Sequence, residues 1–235
     1  MKKALLLLLV ALWGTFPLLS GEPYFCSRPG TRLHYERYKA KTNSLLQTTL
    51  FEIDSFDGSR VHYAVTMKKA SGKELYGGRT LQTVTILPNG DLEIDFGQTL
   101  KGVVQNMFPG IKVAVSQSIG LLPEQMQPGD TLPDIHCTVK VTALSVTLAV
   151  TDRTVLRSER LATPVGVFDC MVVREHKQEF APLHHLDNWH DNYYVPGLGY
   201  VRHDVYDKNM RLLESEVLVR IEESDAPPES SDGRP

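Results

Sequence analysis

The chain has 235 residues, 25 of them Lys or Arg and 28 Asp or Glu, for a formal net charge of −3, with 42% hydrophobic residues. Such a balance suits a globular protein with a core, and it excludes the clustered basic face that nucleic acid demands. The longest apolar run falls short of the roughly 20 residues that a membrane-spanning helix needs.

That run lies at the N-terminus. Lys2 and Lys3 precede the apolar stretch Ala4 to Trp13, and Ser20-Gly21 stand at the distance of a cleavage site. This is the layout of a secretory signal peptide over residues 1–21. Leu19-Ser20-Gly21 also begins like a lipoprotein cleavage box, but the box requires a cysteine next and Glu22 stands there, so no lipid anchor is expected. Cleavage removes Lys2 and Lys3 and no acid, taking the net charge from −3 to −5. The expected product is exported and soluble, in the periplasm or outside the cell.

Beyond the leader, alternation with period two dominates. In RVHYAVTM, Val61, Tyr63, Val65 and Met67 share one face, with His62, Ala64 and Thr66 opposite. Asp57-Gly58 before it, and Asn89-Gly90 between TLQTVTIL and DLEIDF, are hairpin signals. The one helical pattern is LKGVVQNMF, with Leu100, Val103, Val104, Met107 and Phe108 at helical spacing and Pro109-Gly110 ending it; a second short turn is expected at Leu122 to Met126. CTVKV, SVTLAV, RTVLRSERL, VGVFDCMVVREHKQEF, NYYV, GYVRHDVY and LLESEVLVRI follow as further strands. In the last of these, Leu213, Ser215, Val217, Val219 and Ile221 read as the inward face and Glu214, Glu216 and Arg220 as the solvated one. The segment 222–235, rich in acids, serines and prolines, reads as a disordered tail. Residues 22–221 are then a single all-β, mainly antiparallel domain: a strongly curved sheet or an open or closed barrel with one or two short helices.

Chemistry-bearing residues concentrate between Ala181 and Asp207. His184, His185, His190 and His203 lie there, with Asp187, Asp191 and Asp204. Zinc needs three or four converging ligands. His190 and His203 stand at comparable distances from the turn Pro196 to Gly199, so a metal site reduces to their meeting across the hairpin with Asp187 or His184 as a third ligand. We do not expect one. Trp189, Tyr193, Tyr194, Tyr200 and Tyr206 are candidate ligand-binding aromatics, against the alternative that they are cross-strand packing partners. Gly197-Leu198-Gly199 lacks the context of a dinucleotide loop and reads as turn chemistry. Cys26, Cys137 and Cys170 lack metal-type spacing; export permits one disulfide among them, with the pairing open. Ser116-Gln117-Ser118-Ile119-Gly120 is not a nucleophile elbow, since it lacks the leading glycine, and neither a phosphate loop nor H-E-x-x-H occurs. No cofactor is expected.

Two stretches resemble a known family. Thr163-Pro164-Val165-Gly166-Val167-Phe168-Asp169-Cys170 is similar to a T-P-A-G-T-F-D-C motif, and Tyr194-Val195-Pro196-Gly197-Leu198-Gly199-Tyr200-Val201 is followed by Tyr206-Asp207-Lys208. Together they resemble the TapB-like exported domains of Bacteroidetes, whose function is unknown. Val165, Val167 and Met210 depart from that pattern. The resemblance implies an exported antiparallel β protein, similar to envelope proteins that hold lipophilic cargo, and carries over no catalytic residue. The expected function is a non-catalytic envelope protein that binds a lipophilic ligand or a partner protein on a curved sheet. The alternatives are a structural or assembly component of the envelope without a small ligand, and a hydrolase whose site assembles only in space.

Overall fold

A computed structural model describes residues 21–223, apart from 117, 142–143 and 182–183, and the side chains of Leu144, Ala181 and His184 are also left undescribed. The leader, except for Gly21, and the tail beyond residue 223 lie outside these residues. In chain order the elements are β1 (Arg32–Lys39), β2 (Ser44–Phe56), β3 (Arg60–Lys69), β4 (Thr80–Ile86), β5 (Leu92–Asp95), α1 (Phe96–Met107), β6 (Val113–Val115) and β7 (Ile119–Leu122). β8 (Ile135–Val141), β9 (Leu144–Thr163), β10 (Gly166–Ala181), β11 (His184–Val195), β12 (Gly199–Tyr206) and β13 (Leu212–Glu222) complete it. The last strand takes in Glu222, which the sequence reading placed in the tail.

All thirteen strands form one antiparallel sheet in the order β6-β8-β9-β10-β11-β12-β13-β1-β2-β3-β4-β5-β7. Its curvature follows from connectivity. Laid flat, thirteen strands would span roughly 55–60 Å. The two ends of the order, β6 and β7, are joined by residues 116–118 alone, a link that can reach at most about 15 Å. The sheet therefore curls until its edges approach. Ser116 N donates to the Thr138 carbonyl at 3.0 Å and Phe96 N donates to the Ser118 carbonyl at 2.8 Å, which holds the link to both ends. No ladder joins β6 to β7 among the described residues, so the barrel stays open.

The turns form where their chemistry dictates. Gly58 and Gly90 take φ of 96° and 88°, and Asp57 accepts from the backbone of Ser59 and Arg60, the local bond that makes Asp-Gly a hairpin signal. Helix α1 begins four residues before the expected Leu100, because Asp95 ends β5 and caps the helix, accepting from Gln98 N at 3.0 Å. Leu100 and Val104 pack against Ile135, Val139 and Val150, whereas Met107 and Phe108 are exposed. No second helix forms at Leu122 to Met126, which holds the end of β7 and a bend. SVTLAV and RTVLRSERL, read as two strands, are one strand, β9, with Asp152 at positive φ between them.

Two bulges decide which side chains face inward. Opposite Tyr193 and Tyr194, β12 offers Arg202 and Tyr200, which leaves Val201 unpaired. Opposite His34 and Tyr35, β13 offers Arg220 and Leu218, which leaves Val219 unpaired. An extra residue reverses the alternation beyond it. Thus Glu216 and Leu218 are buried, at 3% and 0% exposure, and the solvated face assigned to Glu216 is corrected. For the same reason Tyr200 faces inward together with His203, and Val201 does not share that face.

Candidate functional site

The curled sheet encloses a cavity of about 410 Å³. One side is apolar and aromatic. Leu33 and Tyr35 from β1, Phe51 and Ile53 from β2 and Tyr63 and Met67 from β3 reach it at alternate positions, and Leu92, Ile94, Phe96 and Leu122 extend it. The N-terminal segment inserts Tyr24, Phe25 and Cys26 from above, anchored where Gly197 N donates to the Pro23 carbonyl at 2.7 Å. Rings meet around this space: Tyr35 stacks on Tyr200 at 4.7 Å, and Phe25 lies 5.0 Å from Tyr63.

The opposite wall is polar, and sheet register builds it. Arg37 on β1 pairs across to Glu216 on β13, Glu216 to His203 on β12, and His203 to Asn192 on β11. His190 stands one inward position along from Asn192, with Glu175 of β10 directly opposite it. Glu175 and Lys177 complete this wall. Glu216 accepts from Arg37 Nη2 at 2.9 Å and from the Thr49 hydroxyl at 2.7 Å. His203 Nδ1 lies 3.9 Å from its carboxylate, an electrostatic approach longer than a hydrogen bond. Burial alone would raise the Glu216 carboxyl; the His203 ring, the Arg37 charge and the Thr49 hydroxyl overcome it and hold the pKa at about 2.

His190 and His203 do meet. Nδ1 of the first and Nε2 of the second are 2.7 Å apart, with the rings stacked at 5.0 Å. One nitrogen donates and the other accepts, so this is a hydrogen bond. Two ligands on one tetrahedral zinc would stand roughly 3.3 Å apart, given zinc–nitrogen bonds of about 2.0–2.1 Å. The proposed third ligand is elsewhere: Asp187 lies 2.6 Å from His176, and the His184 side chain is outside the described residues. No group of three His, Cys, Asp or Glu is arranged to hold a metal among the described residues. Burial, then the neighbouring His203 and the charges of Lys177 and Arg37, push the His190 pKa down to about 2, so its ring is neutral.

The aromatic candidates divide by strand parity. Tyr194 and Tyr200 line the cavity. Trp189, Tyr193 and Tyr206 do not. Trp189 stacks on His176 at 4.6 Å, Arg202 lies over the Tyr193 ring at 5.4 Å, and the Tyr206 hydroxyl donates to Asp204 at 3.3 Å. These three belong to a polar layer on the other face, where Arg174 grips Asp191 through two hydrogen bonds of 2.7 and 2.8 Å. His190, Asp191, Asn192 and Tyr193 are consecutive and all buried, so both faces of β11 are covered at this point. β9 also approaches β13, four places away in the sheet.

Sequence reasoning missed Tyr35, Phe51, Tyr63 and the segment Tyr24 to Cys26. Alternation places Tyr63 on one face with Val61, Val65 and Met67, but nothing local says that such a face borders a void. It also missed Arg37, and Glu216, whose charge reads as solvated. The three cysteines are buried and unpaired in this structure. Cys26 and Cys170 lie in the main core and Cys137 in the smaller one beside α1. Burial, with the charges of Glu159 and Asp169, raises the Cys170 thiol to about 11.

Comparison with known proteins bears on this architecture. A candidate lipoprotein from Parabacteroides distasonis ATCC 8503 superposes with a TM-score of 0.69 and 21% identity, over 86% of this chain and 99% of its own. A candidate exported protein with a YmcC-like fold from Bacteroides fragilis NCTC 9343 gives 0.67 and 20%, over 86% and 100%. At such identity the likeness is one of fold. No curated protein matches the chain. No helix among the described residues is long and apolar enough to cross a membrane. The DUF3108-like family profile matches residues 28–218, which takes in every cavity-lining residue except Tyr24, Phe25 and Cys26. The chain belongs to the DUF3108-like family.

Proposed function

We propose that this protein is an exported, non-catalytic binding protein of the cell envelope, which holds a lipophilic ligand inside its curled sheet. The observation that carries the reading is the cavity of about 410 Å³ walled by inward aromatic and aliphatic side chains. Its size falls within the roughly 300–1,000 Å³ of small-molecule sites, which share this mostly apolar lining with a few polar groups. The signal-like leader of residues 1–21 supports export, and the finer likeness to TapB-like domains belongs to the same reading.

Binding is favoured over catalysis by the state of His190. A general base is most effective with a pKa near the working pH. His190, at about 2, binds a proton far too weakly for that role. Its hydrogen bond with His203 orders the wall instead.

The test is saturable binding of the neutral dye N-phenyl-1-naphthylamine, followed by fluorescence. The mature protein is expected to bind about one dye per chain, consistent with a single site of this size. Met67→Trp, which pushes an indole into the cavity from β3, should reduce the dye's affinity strongly while circular dichroism stays that of a β protein. Absence of saturable binding by the unaltered protein would count decisively against this function.

A further inference from the structure

Two donors in the polar wall have no acceptor. Asn192 is 8% exposed, and its amide Nδ2 finds no partner among the described residues; the Nε of Arg37, in the same wall, is equally unmatched. Each buried donor left so has lost its water without gaining a replacement bond, and such groups are few in native proteins. Two in one cavity wall point to a group that the protein itself does not supply.

The surrounding charges give that group its sign. Glu216 is matched by Arg37 at 2.9 Å, and Glu175 by Arg153 at 3.5 Å. Those pairs take both carboxylates of the wall, and Lys177 stands with no ion-pair partner among the described residues. The lining itself has two cations, Arg37 and Lys177, and two carboxylates; because Arg153 holds Glu175 from outside the lining, Lys177 is the cation left without a carboxylate. The charges of Lys177 and Arg37 also depress His190, as a locally positive field must. Across the space, Leu33, Ile53, Leu92 and Phe51 offer only hydrocarbon. The volume, near the lower end of ligand sites, suits one chain rather than two.

We infer, resting on the binding function proposed above, that the ligand is a single-chain amphiphile with an anionic, carboxylate-type head group. The head accepts from Asn192 Nδ2 and Lys177 Nζ, and the tail lies among the apolar residues of β1, β2 and β5. A carboxylate there satisfies the Asn192 donor and pairs with the Lys177 ammonium in one step, which neither an alcohol nor an amine achieves.

The experiment displaces bound N-phenyl-1-naphthylamine from the mature protein with dodecanoate, dodecan-1-ol or dodecylammonium at pH 7.5. All three share one tail, so their ranking reads the head group. Dodecanoate is expected to displace at a concentration roughly tenfold or more below the alcohol, the effect of one charge-assisted hydrogen bond, with the ammonium weakest. In Lys177→Gln, and separately in Asn192→Leu, the ratio of dodecanoate to dodecanol should fall toward one. A variant that merely loosens the fold weakens both competitors alike and leaves the ratio standing, which counts against the inference. Equal displacement by all three, or preference for the ammonium, overturns the head-group assignment while the apolar binding function stands. If the dye itself does not bind, both fall together.

Discussion

His190 offers a direct measure of how deeply the polar wall is buried. Its pKa is about 2 in the fold, against an unfolded value of about 6.5. The unfolded chain therefore takes up a proton below pH 6.5 that the folded chain refuses, so stability is complete above that value and is lost as pH falls. Between pH 7.0 and 4.5 the loss assignable to this one ring is about 2.5 kcal/mol. The figure holds for any folded pKa well below 4.5. Glu216 adds only about 0.4 kcal/mol at the lower limit, and adds it equally in the variant below, because its own depressed carboxyl, also near 2 in the fold, costs stability mainly below about pH 4.5. The perturbation is His190→Asn, which keeps an amide near the position of Nδ1 to pair with His203 and removes the titration. Urea unfolding, followed by the fluorescence of Trp189 stacked on His176, measures stability at half-unit steps across the window. The unaltered protein should lose about 2.5 kcal/mol more than the variant between the two limits, a large share of the 5–15 kcal/mol that domains possess. Equal losses would refute the claim that burial holds this ring neutral.

Two further outcomes follow from the same geometry. Arg37→Met strands the buried Glu216 carboxylate and should destabilise by about 3–5 kcal/mol; adding Glu216→Gln should restore a good part of it, and urea midpoints for the single and double variants check the coupling. Because Cys26, Cys137 and Cys170 are buried and unpaired, a thiol reagent at pH 8 should find almost no reactive thiol in the folded protein and three after unfolding.

The sequence by itself determined the class of this protein. Period-two alternation, Asp-Gly and Asn-Gly turns and one short helical pattern are local properties, set by backbone sterics and by which residues accept positive φ, and the antiparallel sheet follows from them. The turn at Gly197-Leu198-Gly199 was legible for the same reason: both glycines take positive φ, 70° and 99°. The site was legible only in part. Tyr194 and Tyr200 were named from composition, but Trp189 and Tyr193 sit on the opposite face of β11, since adjacent residues of a strand point apart.

What only the tertiary structure decided was the inside of the barrel. Alternation yields two faces and does not say which is inner beyond a bulge. Val201 and Val219 each add one unpaired residue, and that single offset brings Tyr200 onto the face of His203 and buries Glu216 beneath Arg37. Bulges depend on how two distant strands pair, and nothing in LLESEVLVRI marks Val219 as unpaired. The row Arg37, Glu216, His203 and Asn192 likewise comes from four strands, its first and last members 155 residues apart in the chain. A charge reads as solvated in sequence unless its partner is known, and that partner is supplied by register. Whether the inward faces meet or leave a void depends on how tightly thirteen strands curl, which no short stretch of the chain contains.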